Sequence, residues 1–217
     1  MRKEIYYVKS LEEDLVTKTL KGHEKVSFQS IENIIKTKKI KPNTKSFGRQ
    51  KRLSCTIIDE NYLKTYRPQG IIFKTKQKPN YVLPFDVVLL SANDNIIVQY
   101  YRIKNKLHIY YNYNLIPGFE RFIFKDFQKL KEKFPTLQKV WDEINNFRIS
   151  KGYKPLKREK HRLVEYDEAA FHKTVKIEPV AIFGYRKNAR KVAKKLKIPF
   201  YISTKKFYEN IIKKEKI

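Results

Sequence analysis

Apolar and polar positions along this chain alternate between two kinds of pattern, one suited to strands and one to helices. The stretches "EIYYVKS" (4–10) and "KVSFQS" (25–30) read as strands. From Ser30 the period lengthens. Ile31, Ile34 and Ile35 fall on one helical face, Ser30 is placed to cap the helix, and Pro42 lies beyond its end. "NTKSFGRQKR" (43–52) reads as a basic loop. From Leu53 onward β-branched and aromatic residues dominate five segments, "LSCTII", "GIIFKT", "NYVLPFDVVLLS", "NIIVQYYRI" and "KLHIYYNY". Turn formers such as "RPQG" and "ANDN" separate them, so each predicts a strand. Asp126 is placed to cap a helix that Pro135 interrupts. Thr136 can cap the next, where Leu137, Val140, Trp141 and Ile144 form an i, i+3, i+4, i+7 stripe. "RISKGYKPLKREK" (148–160) reads as an exposed basic connector. Near the end come a strand, "EPVAIFGY", a helix, "KNARKVAKKLK", and a second strand, "IPFYIS". Ala189, Val192, Ala193 and Leu196 make that helix's inner face. Strands mixed with helices at both ends predict one α+β domain over 1–217, with an N-terminal extension at 1–24 and a basic tail at 204–217.

The stretch "HRLVEYDEAAFHKTVKI" (161–177) adds candidate chemistry to this pattern. Read as a strand, Ala169, Phe171, Val175 and Ile177 share one face, broken only by Lys173, and form a core face. Glu168, Ala170, His172, Thr174 and Lys176 share the other. Glu168 then points away from the core beside a small residue, which leaves room for a ligand. The plainer reading is a solvated acid balancing nearby lysines. In "RLSCTIIDEN" (52–61), Ser54 and Thr56 share a face, where two hydroxyls can orient a polar ligand. The plainer reading there is a half-buried strand with its hydroxyls in water.

Charge sharpens the question of why acids gather in this place. Lys and Arg number 49 against 22 Asp and Glu, a formal net charge of +27 in 217 residues. Such an excess repels itself, and a polyanion such as nucleic acid relieves it. A generic lysine-rich surface is the plainer account. Cys55 is the only cysteine, which excludes an internal disulfide and a cysteine-based zinc cluster and fits a reducing compartment. The four histidines show no metal-ligand spacing, so no metal is expected. The start "MRKEIYYVKSLEEDL" has no apolar signal core, and no apolar run reaches membrane-spanning length. The expectation is a soluble, cytoplasmic protein without a membrane partner. The sequence points to no oligomeric state.

In order along the chain, "QSIENIIKTKKIKP" (29–42), "RLSCTIIDEN" and "EYDEAAFHKTVKIEPVAIFGY" (165–185) resemble three elements of the mono-ADP-ribosyltransferase-like superfamily: an early helix, a Ser/Thr strand and a late strand opened by the catalytic glutamate. The resemblance covers about residues 25–203 through short motifs. It departs at the early strand, where "EKVSFQS" carries neither the Arg nor the His that holds NAD in the family. The resemblance implies a split sheet with peripheral helices and NAD as the donor. Breaking the nicotinamide–ribose bond builds positive charge on the ribose, which a fixed carboxylate stabilises. By the resemblance that carboxylate is Glu168. Ser54 and Thr56 would orient it or the ribose, and Asp167 or Glu165 would help activate an acceptor. Tyr62 or Tyr66 is placed to stack on nicotinamide.

The charge and the resemblance together point to DNA or RNA as acceptor, with a protein acceptor as the alternative. Candidate phosphate contacts lie in three patches, at 45–52, 148–162 and 186–197. They include Arg49, Lys51, Arg52, Lys157, Arg158, Arg162, Arg186, Arg190 and Lys194. Two other classes stay open. One is a non-enzymatic nucleic-acid-binding protein. The other is a metal-dependent nuclease using Asp86, although the following strand offers "QYY" where such enzymes carry Glu-x-Lys.

Overall fold

The computed structural model describes residues 4–13, 20–22, 31–45, 51–59, 65, 69–92, 97–103, 106–112, 115–157, 167–184 and 187–212. Its first half runs β1 (Tyr7–Glu13), β2 (Leu20–Gly22), α1 (Ile31–Thr37), β3 (Lys39–Ile40), β4 (Asn43–Lys45), β5 (Lys51–Ile57), β6 (Gln69–Lys74), β7 (Tyr81–Leu83), β8 (Ile97–Ile103) and β9 (Lys106–Asn112). Then come α2 (Phe127–Lys133), α3 (Leu137–Ser150), β10 (Asp167–Phe171), β11 (Val175–Lys176), β12 (Glu178–Gly184), α4 (Lys187–Leu196), β13 (Phe200–Tyr201) and α5 (Thr204–Phe207). The principal sheet is open, in the order β13-β12-β6-β1-β5-β10-β7, with β2 attached to β1 and β4 to β5. Among the described pairings only β12 with β13 is parallel. This is a mixed α+β architecture on a mostly antiparallel sheet.

Both faces of the sheet are covered, so a central strand such as β6 is buried on both sides. On one face α1, α2 and α4 bring Ile31, Ile34, Leu130, Ala189 and Ala193 onto Tyr7, Cys55, Ile57, Phe73, Ala169 and Phe171. On the other, Phe207 and Ile212 cover Tyr6, Val8, Ile72, Ala181 and Phe183. Beyond β7, α3 sets Val140, Trp141, Ile144 and Phe147 against Leu83, Phe85, Leu89 and Leu90. The outer edge of β7 is closed by Phe124, which exchanges two backbone hydrogen bonds with Val82 at 2.8 and 3.0 Å.

Local chemistry accounts for most boundaries. Asp126 and Thr136 accept hydrogen bonds from the backbone N–H groups of Lys129 and Lys139, as expected of N-caps. Gly184 ends β12 with φ 154, and a Cβ there would lie 2.7 Å from the Gln69 Cβ and 3.1 Å from the Ala189 Cβ. Only glycine allows α4 to start so close to β6.

The structure differs from the sequence reading in five places. Residues 1–24 are not an extension throughout, because β1 lies inside the principal sheet between β6 and β5. Residues 80–91 are not one strand. Pro84 has no N–H for the ladder, and after it Val87–Leu90 coil into a 3-10 turn. The segment 43–52 is not a loop throughout, because β4 pairs with the start of β5. The basic connector begins later than expected, because α3 continues to Ser150 and Leu156 is buried. Residues 204–212 are helical, and Phe207 is fully buried. The strand expected at 25–30 lies outside the described residues. Among the described residues no helix is long and apolar enough to cross a membrane.

Candidate active site

The acidic pair opens β10, which lies between β5 and β7. Register sets the neighbours of each acid. Glu168 is opposite Thr56 on β5 and Leu83 on β7, while Ala170 is opposite Ser54. Thr56 is in turn opposite Val8 on β1. Cross-strand partners share a face. Glu168, Thr56, Ser54 and Ala170 therefore share one face, with Glu168 and Thr56 in a single cross-strand row. The small Ala170 next to Ser54 removes bulk from that row's neighbour. Asp167, opposite Ile57, turns to the other face.

Neither acid is a surface charge. Asp167 is 0% and Glu168 2% exposed, and Thr56 is buried at 4%. Ser54 is half-buried, which makes it the hydroxyl of this row nearest to solvent. The plainer reading of Glu168 as a solvated acid is therefore corrected, and the face that was expected to point away from the core is buried as well. Both faces of β10 are buried: α2 and its neighbours cover the Ala169 face, and on the other side Leu83, opposite Glu168, belongs to the cluster that α3 covers.

Asp167 belongs to a second, separate cluster. Lys131 of α2 places its Nζ 3.6 Å from Asp167 Oδ2 and 3.4 Å from Asp59 Oδ1, just beyond β5. The same ammonium lies 5.7 Å from the Phe127 ring centroid. Two carboxylates thus share one lysine. Burial pushes the Asp167 carboxyl up to about 7, Lys131 opposes the shift, and the Asp59 charge adds to it. Adjacent strand residues point to opposite faces, so Asp167 and Glu168 do not converge on one ligand.

Between the two clusters lies Cys55, fully buried. Its burial pushes the thiol up to about 12. The Lys9 ammonium opposes this shift and the Glu168 charge adds to it. A thiol held so far from thiolate is inert. Lys9 is 7% exposed, and its Nζ donates to the Ser54 carbonyl at 3.4 Å. That bond holds the β5 backbone at the hydroxyl row from the β1 side.

The remaining candidates are dispersed. Glu165, Tyr62, Tyr66, Arg49, Arg158, Arg162 and Arg186 lie outside the described residues. Lys51 and Arg52 are placed on β5 by backbone, opposite Lys45 and Asn43. Lys157, Arg190 and Lys194 are exposed. Arg148 opens one basic patch but is itself 2% exposed. It donates to the carbonyls of Lys154 (2.8 Å), Leu89 (3.2 Å) and Ser91 (2.8 Å), which ties α3 to the turn after β7. It is a structural group and not a phosphate contact. Asp86, the nuclease candidate, precedes the 3-10 turn, whereas β8 pairs with β9 in a separate two-stranded ribbon.

Sequence reasoning missed Lys131, Asp59 and Lys9. Lys9 left a trace, because alternation puts it on the same face as the core residue Tyr7. Lys131 left none, since its place over β10 depends on how α2 docks. No family model, no curated protein and no solved structure matches this chain.

Proposed function

We propose that this chain is an NAD-dependent ADP-ribosyltransferase with an ADP-ribosyltransferase-like core and a nucleic acid as acceptor. The observation that carries the reading is the row formed by Glu168 and Thr56, with Ser54 on the same sheet face from the neighbouring strand. A ribose presents two hydroxyls, and a carboxylate beside hydroxyl groups is a donor–acceptor set that fits it. NAD enters as substrate. The bond from ribose C1′ to nicotinamide breaks, and nicotinamide leaves with the bonding pair. An acceptor lone pair forms the new bond to C1′, and the acceptor's proton passes to solvent. The chain's part is to fix a negative charge where positive charge develops on the sugar. Burial makes that charge act through a low dielectric. Thr56 stands opposite Glu168 in the cross-strand row, and Ser54 on the same face is half-buried. Asp167 has no part in the chemistry, because it faces away.

The reading is tested by nicotinamide release from NAD, with and without DNA or RNA. Glu168→Gln keeps the shape and removes the charge, so it should lower the rate by about 10²–10³-fold, the range for loss of one such stabilising group. Thr56→Val should lower it less. Equal release from wild type and Glu168→Gln would overturn the assignment.

A second reading, a nucleic-acid-binding protein without NAD chemistry, draws support from the exposed cations on α4. Tight, salt-sensitive binding in a protein that releases no nicotinamide would establish it.

A further inference from the structure

Beyond β7 the chain builds an element that the candidate site does not use. Among the described residues, β8 and β9 pair only with each other, as a two-stranded ribbon separate from the principal sheet. The base of the ribbon is fixed. Ser91 bridges Leu115, the Ile116 N–H donates to the Leu90 carbonyl at 2.9 Å, and the buried Arg148 holds the Leu89 and Ser91 carbonyls. Leu83, opposite Glu168, lies shortly before this base in the chain. Register sorts the ribbon's residues onto two faces, because cross-strand partners share a face. Gln99 stands opposite Tyr110 and Tyr101 opposite His108, which puts three rings on one face, and Lys106 opposite Ile103 is the next pair along it. The intervening pairs, from Val98–Tyr111 to Arg102–Leu107, put Val98, Leu107 and Ile109 on the other face. Arg102 and Lys106 flank the tip of the ribbon, and the sequence carries no acid between Asp94 and Glu120.

Rings and cations interleaved without acids suit a polyanion that also presents flat apolar faces. A single-stranded nucleic acid is such a polymer, since its phosphates take Arg and Lys and its unstacked bases lie on aromatic rings. A duplex keeps its bases stacked and offers a ribbon only the base edges in its grooves. A ribbon without a third strand is marginally stable by itself, so a strand laid along it adds to its order. We infer that the β8–β9 ribbon is the platform for a single-stranded nucleic acid, with bases stacked on the Tyr101, His108 and Tyr110 face and phosphates held by Arg102 and Lys106. The inference rests on the nucleic-acid half of the proposed function, whose polymer it specifies as single-stranded, and not on the NAD chemistry.

The test is fluorescence anisotropy without NAD, at several salt concentrations, with a labelled single strand of mixed sequence, as DNA and as RNA, and with the matching duplexes. Both single strands should bind more tightly than their duplexes. Tyr101→Val with Tyr110→Val keeps β-formers in the strands and removes the rings, so it should weaken single-strand binding at least about tenfold. The slope of log K against log salt should not change, because stacking releases no counterions. An unfolded ribbon would lose its phosphate contacts too, so the unchanged slope marks lost stacking. Tyr101→Phe with Tyr110→Phe keeps the rings and should stay within about twofold of the parent. Arg102→Gln with Lys106→Gln should make the slope shallower by roughly 1.4, from about 0.7 per phosphate contact on a single strand. A control removes the same charge from exposed lysines of α2 and α3, with Lys129→Gln and Lys139→Gln, and should leave the slope as it is. Tighter binding to duplex, a Val pair that binds like the parent, a Phe pair as weak as the Val pair, or equal slope changes in the ribbon and control variants would overturn the inference. With no NAD present, that failure leaves the sugar chemistry standing. Absent nicotinamide release, conversely, leaves the binding result standing.

Discussion

Asp167 and Glu168 are chain neighbours with opposite surroundings, and the alternation of a strand is the reason. Glu168 shares its face with Thr56 and Ser54, and Asp167 shares Lys131 with Asp59. The raised Asp167 carboxyl has a consequence for stability. The folded chain holds the Asp167 proton up to about pH 7, whereas an ordinary aspartate releases it near 3.8. Between those values the native state binds more protons than the unfolded one. The stability linked to this group is therefore full below about pH 4, falls as pH rises, and is gone above about pH 7. Asp167→Asn fixes the neutral form. In urea denaturation the wild type should lose about 3 kcal/mol relative to Asp167→Asn between pH 4.5 and 7.5. A constant difference across that range would mean that Asp167 titrates normally. At this scale the sequence showed which residues to examine. The shared face of Ser54 and Thr56 and the turn of Glu168 to the face opposite Ala169 both follow from period two. Burial was not legible, because it depends on α2 and on strands from elsewhere in the chain.

Elements were legible where local signals agreed. The caps at Asp126 and Thr136, the stripe of α3 and the inner face of α4 all rest on short-range chemistry, and each is present. Signals misled where context outweighed composition. In 80–91 the apolar run continued past Pro84, but the ladder did not. In Arg148 a cation at the head of a basic stretch is consumed by three carbonyls. Removing it leaves those carbonyls buried without their donor, and α3 loses its tie to the turn at Leu89 and Ser91. Arg148→Ala should cost about 3 kcal/mol in denaturant unfolding. A cost below about 0.5 kcal/mol, typical of a surface substitution, would contradict the structural role given to it.

Across the whole molecule the sheet order β13-β12-β6-β1-β5-β10-β7 brings β10, late in sequence, between β5 and β7. That insertion makes the candidate site, and no local pattern announces it. The α+β class was legible from the alternation of element types. The pairing was not, because antiparallel partners far apart in sequence leave no signature in either strand alone. Charge behaves likewise. The excess of +27 was plain from composition, but that Lys39 and Lys176 stand opposite each other required the β3–β11 pairing.

The central claim is that Glu168 does chemistry on the ribose of NAD. It is tested most directly by incubating DNA or RNA with NAD and either wild-type or Glu168→Gln protein, then weighing the polymer by mass spectrometry. The account predicts the mass of an added ADP-ribose unit with wild type and its absence with Glu168→Gln, both proteins being equally folded. An unmodified polymer with wild type, or equal modification by both, would contradict it.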